Sequence, residues 1–291
     1  MTPTLAILGG SGLYGLAENE PQRSIAASTP YGAPSGNIQE LELSGSRVLF
    51  LARHGAGHRL AAHEVNYRAN VFALKALGAT HLLSVSAVGS LRLDFEPGHI
   101  VTVDQYIDNT KRRASTFFEG QGVVVHASLA DPVDASFSQL LCRVARELDA
   151  TVHDAGTYLC IEGPQFSTRA ESKLYRALGA DVIGMTNLPE ARLAREAELA
   201  YASLCFVTDY DAWHESELPV QVENVLQQLH QNAALARRIL ARLIERSSQL
   251  PHSAAARALD QSLLTAPAQI SADVRLRLAP LLERVLRARG G

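Results

Sequence analysis

Thr208-Asp209-Tyr210-Asp211 closes the apolar run 202–207, and its two carboxylates stand two residues apart. Side chains at that spacing point the same way if strand geometry continues. Neighbouring carboxylates at a semi-buried strand end can push one pKa up, which makes a proton donor near neutral pH. The plainer alternative is a solvated turn with two acidic side chains. Other residues suit an anion. Gly10-Ser11-Gly12-Leu13-Tyr14-Gly15 follows the apolar run 5–8. Amides in such a turn converge, and Ser11 adds a hydroxyl. Arg53-His54-Gly55 follows the run 48–52, and an arginine there offers a planar fork of donors. Ser86-Ala87-Val88-Gly89-Ser90 ends a third run, with a hydroxyl at Ser86 and small residues that admit a ligand close to backbone. Three phosphate-competent groups at three strand ends are far less expected by chance than one.

A second set suits a planar ring and a sugar. Phe166, beside Gly163-Pro164, reads as a presented aromatic able to stack, or else as ordinary core. Gly184-Met185-Thr186-Asn187 follows a short strand at 181–183. Met185 offers a soft apolar surface and Thr186 another hydroxyl.

Two tempting readings fail on context. The glycine loop matches G-x-G-x-x-G, but a dinucleotide fingerprint needs a helix at the loop and an acidic strand end some 20 residues on. Here Glu18, Glu20, Pro21 and Thr29-Pro30-Tyr31-Gly32 read as loop. His54 and His58 are four apart like a metal pair, yet Gly55 and Gly57 lie between them and no third ligand is evident, so no metal is expected.

Positioning these groups requires strands with helices between them. Strand-like runs are Leu5 to Leu8, Val48 to Leu51, Leu82 to Val88, Ile100 to Val103, Thr157 to Ile161 and Ala202 to Thr208. Several are apolar throughout, as strands buried on both faces should be. Helix-like segments are His63 to Leu77, Ser136 to Leu148, Thr168 to Leu178 and Leu188 to Ala200. The third starts on Ser167 or Thr168 as N-cap, with Glu171 reaching back, and stops at Gly179. The pattern predicts an α/β fold, a single domain with a mixed, mainly parallel sheet flanked by helices. A last helix runs from about Val220 to Arg246, and the domain is drawn over residues 1–247. Residues 248–291, rich in Ala, Leu and Arg and split by Pro267 and Pro280, read as an appended helical tail of unknown role.

The 291 residues are 47% hydrophobic and 20% charged, with a formal charge of -3, which argues against a general nucleic-acid or anionic-membrane binder. No apolar run approaches the roughly 20 residues of a bilayer span. The N-terminal residues lack the pattern of a signal peptide. Cys142, Cys160 and Cys205 form neither a disulfide framework nor a C-x-x-C motif. A cytoplasmic location is the expectation.

As a set, Arg53 to Arg68, Ser86 to Leu91, Ile161 to Glu171, Gly184 to Glu190 and Thr208 to Trp213 resemble the purine nucleoside phosphorylase family, most closely its methylthioadenosine phosphorylase branch. The similarity runs from about residue 4 to 245. It implies cleavage of a glycosidic C–N bond by inorganic phosphate as co-substrate, with no cofactor. By carry-over, Ser11, Arg53, His54, Ser86, Ala87 and Thr186 would hold phosphate. Met185 would meet the ribose, Phe166 the purine, and Asp209 and Asp211 the purine N7 and N6. Ser167, Val222 and Val225 match the branch that favours a 5′-methylthio group. His126 matches a position that reaches a neighbour's 5′ pocket, and homotrimers are typical. Residues 248–291 find no counterpart in the family pattern. A carboxylate can accept from a 6-amino group but faces a 6-oxo group at a cost, so the Asp pair argues for adenine. Methylthioadenosine is thus the expected substrate, with a broader purine nucleoside phosphorylase as rival and a non-catalytic nucleoside-binding protein as the reading of another class.

Overall fold

In the computed structural model, residues 3–10, 13, 22–214 and 222–290 are described, with the side chains of 22, 222–227, 229 and 230 outside the description. Of the expected site residues, Ser11 therefore lies outside the described residues, as do the side chains of Val222 and Val225. The described strands are β1 (Leu5–Gly9), β2 (Gln22–Ile25), β3 (Ile38–Leu43), β4 (Ser46–Ala52), β5 (His81–Ser90), β6 (Ile100–Val101), β7 (Gln105–Asn109), β8 (Val152–His153), β9 (Thr157–Ile161), β10 (Val182–Gly184) and β11 (Ala200–Asp209). The helices are α1 (Tyr67–Ala76), α2 (Ala135–Arg146), α3 (Arg169–Ala177), α4 (Asn187–Glu196), α5 (Val222–Glu245), α6 (Ala272–Arg277) and α7 (Ala279–Ala288).

One sheet joins the strands in the order β2-β3-β4-β1-β5-β10-β9-β7, with β11, β6 and β8 branching from β5. Pairings of β1 with β4 and β5, of β5 with β11, of β9 with β7 and β10, and of β6 with β8 are parallel. The rest are antiparallel, so the sheet is mixed and mainly parallel, as expected. Apolar strands alternate their side chains between two cores. Leu5, Ile7, Leu83 and Val85 meet α2 and α5 through Phe137, Leu141, Ile239 and Leu243. Ala6, Leu8, Leu82 and Tyr201 face the other way, onto Val71 and Leu74 of α1 and Ala191 and Ala194 of α4.

Several elements differ from the pattern-based expectation. The stretch expected as loop after the glycine turn contains β2, which pairs antiparallel with β3, a strand not expected from the sequence that pairs antiparallel in turn with β4. Gln39, Glu40 and Glu42 make β3 half-polar, without the continuous apolar run that marks a strand buried on both faces. Helix α4 ends at Glu196 instead of running to Ala200, because the chain turns at Glu198, whose φ is +54°, and enters β11. Helix α1 starts only at Tyr67, where Asn66 caps it by accepting from the Ala69 N–H. The α3 start is as expected: Thr168 and Glu171 form a reciprocal capping box, and Gly179 follows the helix at φ +82°.

Residues 248–291 are helical pieces that pack on the domain. Leu259, Leu263, Ile270, Val274, Leu278, Leu282 and Val285 belong to the same core as Leu8 and Leu82. Glu198 accepts the Leu259 N–H at 3.0 Å and the Arg284 Nε–H at 2.6 Å, which ties the segment to the turn after α4. A bridge between Val125 and Leu263, with His126 N–H donating to the Ser262 carbonyl, ties it to the loop after β7.

Candidate active site

Strand register sets the site. Gly9 of β1 lies between Ala52 of β4 and Val85 of β5. One residue further on, Gly10, Arg53 and Ser86 therefore stand side by side at the C-terminal edge, where open α/β sheets bind ligands. Strand β1 stops pairing at Val85, and β10 joins β5 only at Gly89 and Ser90. Ser86, Ala87 and Val88 are left without a neighbour on that edge. The gap opens into a cavity of about 570 Å³, lined among others by Arg53, His54, Ser86, Ala87, Phe166, Ser167, Met185, Thr186, Asp209 and Asp211. Ten of the residues expected at the site thus share one cavity. Ser86 and Gly89, the latter packed against Asp209, are three residues apart along β5, or roughly 10 Å at strand rise.

At the Arg53 end the groups are rigid. Arg53 is 1% exposed and pairs with Glu190, Nε to Oε1 at 2.5 Å and Nη2 to Oε2 at 3.3 Å. Burial opposes the Arg53 charge, and Glu190 more than offsets that, so the guanidinium stays protonated. His54 holds a contact of 2.8 Å from Nδ1 to the Leu60 carbonyl, so Nδ1 carries the proton of the neutral ring. Burial, together with the Arg53 charge, pushes His54 down to about 4. Its ring stacks on His58 at 4.2 Å. Ser86 Oγ donates to Asn187 Oδ1 at 3.4 Å. Thr186 Oγ1 is buried without a well-formed hydrogen bond among the described residues, beside the Tyr158 hydroxyl that accepts the Thr186 N–H at 3.2 Å.

At the other end, strand geometry does not continue past Asp209 as the two-residue spacing suggests. Asp211 sits in a turn at φ +49°. The carboxylates still meet in one cavity, because Asp209 Oδ1 accepts the Asp211 N–H at 2.8 Å and so builds the turn. Thr208 Oγ1 donates to Asp209 Oδ2 at 2.7 Å. Trp213 anchors the turn by donating from Nε1 to the Ser90 carbonyl at 2.8 Å, under the Arg176 guanidinium. Asp211 is 7% exposed, and burial raises its carboxyl above the ordinary range against the influence of Ser172 and Ser167. Its Oδ2 and both serine hydroxyls lack well-formed hydrogen bonds among the described residues. Gly89 makes room for this pair: a Cβ there would come within 2.9 Å of Asp209 Oδ1.

Phe166 is 43% exposed, which removes the reading as ordinary core. Met185 packs on Gly163, where a Cβ would meet its Sδ at 2.5 Å. Arg113 fastens both loops. Its Nη1 donates to the carbonyls of Met185 and Leu188 at 2.6 Å each, and its Nη2 to those of Ile161 and Glu162. His126 is exposed and lies off its own chain's cavity. Sequence reasoning missed Glu190, Asn187, Ser84 and Arg113, together with Asn232, Ala233 and Ala236 of α5 on the cavity wall. A buried arginine demands a carboxylate partner, which was the available signal for Glu190. Nothing in the local pattern marks Arg113.

Residues 4–245 match the model of the phosphorylase superfamily. The chain is 50% identical over 279 residues to the S-methyl-5'-thioadenosine phosphorylase of Geobacter sulfurreducens, covering 96% of this chain and 97% of that one. A match of that length runs well past residue 247, so the segment 248–291 does have a counterpart among relatives, against the expectation. The crystal structure of a methylthioadenosine phosphorylase from an antarctic soil metagenomic library is similar with a TM-score of 0.89 and 48% identity, covering 97% of this chain and all of that one. A methylthioadenosine phosphorylase from Schistosoma mansoni in complex with adenine is similar with a TM-score of 0.81 and 32% identity, covering 97% and 98%.

Proposed function

The chain belongs to the phosphorylase superfamily, and from that premise we propose that its cavity splits S-methyl-5'-thioadenosine with inorganic phosphate. The products are adenine and 5-methylthioribose 1-phosphate, and the enzyme is a pentosyltransferase of methionine and purine salvage. The observation that carries this reading is a single cavity with Arg53, Ser86 and the buried Thr186 hydroxyl at one end and the Asp209–Asp211 pair at the other.

Phosphate sits against Arg53, His54, Ser86, Ala87 and Thr186, with Ser11 assigned on the family pattern alone. Glu190 offsets the Arg53 charge and His54 is neutral, so N–H and O–H donors hold the anion rather than excess positive charge. Purine stacks on Phe166, and Met185 supports the ribose. The C1′–N9 bond breaks as the phosphate oxygen forms its bond to C1′. Positive charge grows on the sugar ring and is stabilised by the anion below it. The leaving purine takes a proton at N7 from the Asp209–Asp211 pair, a step worth roughly 10²–10⁴-fold in rate. Within the pair, Asp211 is the carboxyl that burial keeps protonated to higher pH. Ser167 lines the cavity, and it is assigned to the 5′ end, with Val222 and Val225, on the family pattern alone. His126, exposed and off its own cavity, serves a neighbour's 5′ pocket in a homotrimer. Among the described residues no helix is long and apolar enough to cross a membrane. Phosphate is the one co-substrate.

The test is base release from methylthioadenosine, adenosine and inosine, each with and without phosphate. Phosphate-dependent adenine release, fastest with methylthioadenosine, is expected. Release that ignores phosphate would make the enzyme a hydrolase. Hypoxanthine from inosine at comparable speed would favour the broader purine nucleoside phosphorylase.

A further inference from the structure

The phosphate end of the cavity is held from behind by the start of α4. Thr186 lies immediately before the helix, with its hydroxyl buried and without a well-formed hydrogen bond among the described residues. Asn187 Oδ1 takes the Ser86 hydroxyl, and its Nδ2 donates to Ser203 Oγ at 2.5 Å. Glu190, fully buried, grips the side of the Arg53 guanidinium formed by Nε and Nη2. Nη2 also donates to the Leu8 carbonyl at 3.1 Å and to Ser84 Oγ at 2.7 Å. Nη1 donates to the Val85 carbonyl at 3.0 Å. An arginine has five N–H donors. The Leu8, Ser84, Val85 and Glu190 contacts occupy four, and one N–H of Nη1 is left without a partner among the described residues. A Cβ added at Gly10, which lines the cavity, would meet Nη1 and the Val85 carbonyl oxygen at 3.7 Å each, so Nη1 borders the cavity there. Ser84 Oγ closes the frame at 2.8 Å from Glu190 Oε2 and 3.1 Å from Asn187 Oδ1.

We propose that Glu190 is a positioning residue for phosphate: it locks Arg53 by a two-point carboxylate grip so that a single Nη1–H is aimed into the cavity, in line with Ser86 and Thr186. The proposal rests on the phosphate assignment of Arg53 made above. A planar fork held on one side by a carboxylate cannot swing, so one donor is presented at a fixed angle. Ser84 ties this frame to the one that holds Ser86, so the first residues of α4 set all three phosphate contacts together.

The test separates the two substrates. Glu190→Gln keeps the size of the side chain but replaces one accepting oxygen with a donor that faces the guanidinium. It is expected to raise the KM for phosphate at least tenfold while the KM for methylthioadenosine moves less than threefold. Glu190→Asp, which keeps the charge, should recover part of the loss. Because Glu190 acts through Arg53, its effect should vanish in an Arg53→Lys background. Equal losses for both substrates, or the same additional loss in the Arg53→Lys background, would make Glu190 merely structural and overturn the proposal. An Arg53→Lys enzyme with an unchanged KM for phosphate would instead remove Arg53 from the phosphate pocket, and the proposal with it. Should Glu190→Gln not fold, Ser84→Ala decides: a threefold or greater rise in the KM for phosphate alone is expected, and no change overturns the proposal.

Discussion

At the residue scale, the two aspartates are useful because of what surrounds them. Asp209 is fixed by the Thr208 hydroxyl and the Asp211 N–H, while Asp211 is burial-shifted in a strained turn. Asp209→Asn should lower kcat on methylthioadenosine by about 10²–10⁴-fold with an unchanged melting temperature; intact turnover would remove Asp209 from proton delivery. Gly89→Ala should reproduce part of that loss without substituting a carboxylate, since its Cβ would displace Asp209 Oδ1. Glu196 is a buried carboxylate outside the cavity, 8% exposed, that accepts the Phe117 N–H at 2.8 Å. Burial pushes it up to about 7, against that hydrogen bond. The folded value lies above the ordinary 4.5, so its contribution to stability is whole below pH 4.5 and is lost as pH rises through about 7. Glu196→Gln should therefore stabilise the protein by about 2 kcal/mol at pH 8.5 and by little at pH 5. Thermal melts at the two values check this, and equal gains at both would exclude burial of the charge as the cause.

At the element scale, the site is an assembly of strand ends that loops must complete. Strands β1, β4 and β5 contribute through register alone, whereas the loops carrying Phe166 and Met185 need Arg113 between them. Its side chain is 3% exposed and spans four carbonyls and the Glu162 carboxylate. Arg113→Met removes the donor to those carbonyls and to Glu162 Oε1, while Glu162 Oε2 keeps the Lys111 and Arg112 N–H groups. The stability loss should reach about 3 kcal/mol, the low end for a broken buried pair. The KM for the nucleoside should rise more than that for phosphate, because the proposed function sets these loops against base and sugar. Arg113→Lys should not restore it, since a single ammonium cannot span both loops. Denaturant melts with substrate-resolved kinetics read both effects, and equal rises in the two KM values would contradict the bracing role.

At the scale of the whole molecule, the C-terminal segment carries a share of the core. Leu259, Leu278, Leu282 and Val285 are fully buried against the sheet and α1 side, and Arg284 closes on Glu198 and Asp260. Each such apolar side chain contributes about 1.5–3 kcal/mol, so four approach the whole stability of a typical domain. Truncation after Ser247 should abolish soluble, cooperatively melting protein. A truncated chain that melts like the parent would show that the segment is dispensable to the fold.

Composition and periodicity alone determined the α/β class, the six apolar strands and the α3 capping box, because these depend on local burial pattern and turn chemistry. The residue types at Arg53, Ser86, Thr186, Asp209 and Asp211 likewise singled out residues that the fold gathers in one cavity, where they are proposed to bind an anion and carry a proton. Strands β2 and β3 were illegible, since neither carries a continuous apolar run. Glu190 lies 137 positions from Arg53, and Arg113 lies 72 from Met185. No local pattern encodes such partners. Only the assembled sheet brings them together, and burial then turns an ordinary carboxylate into the grip on an arginine.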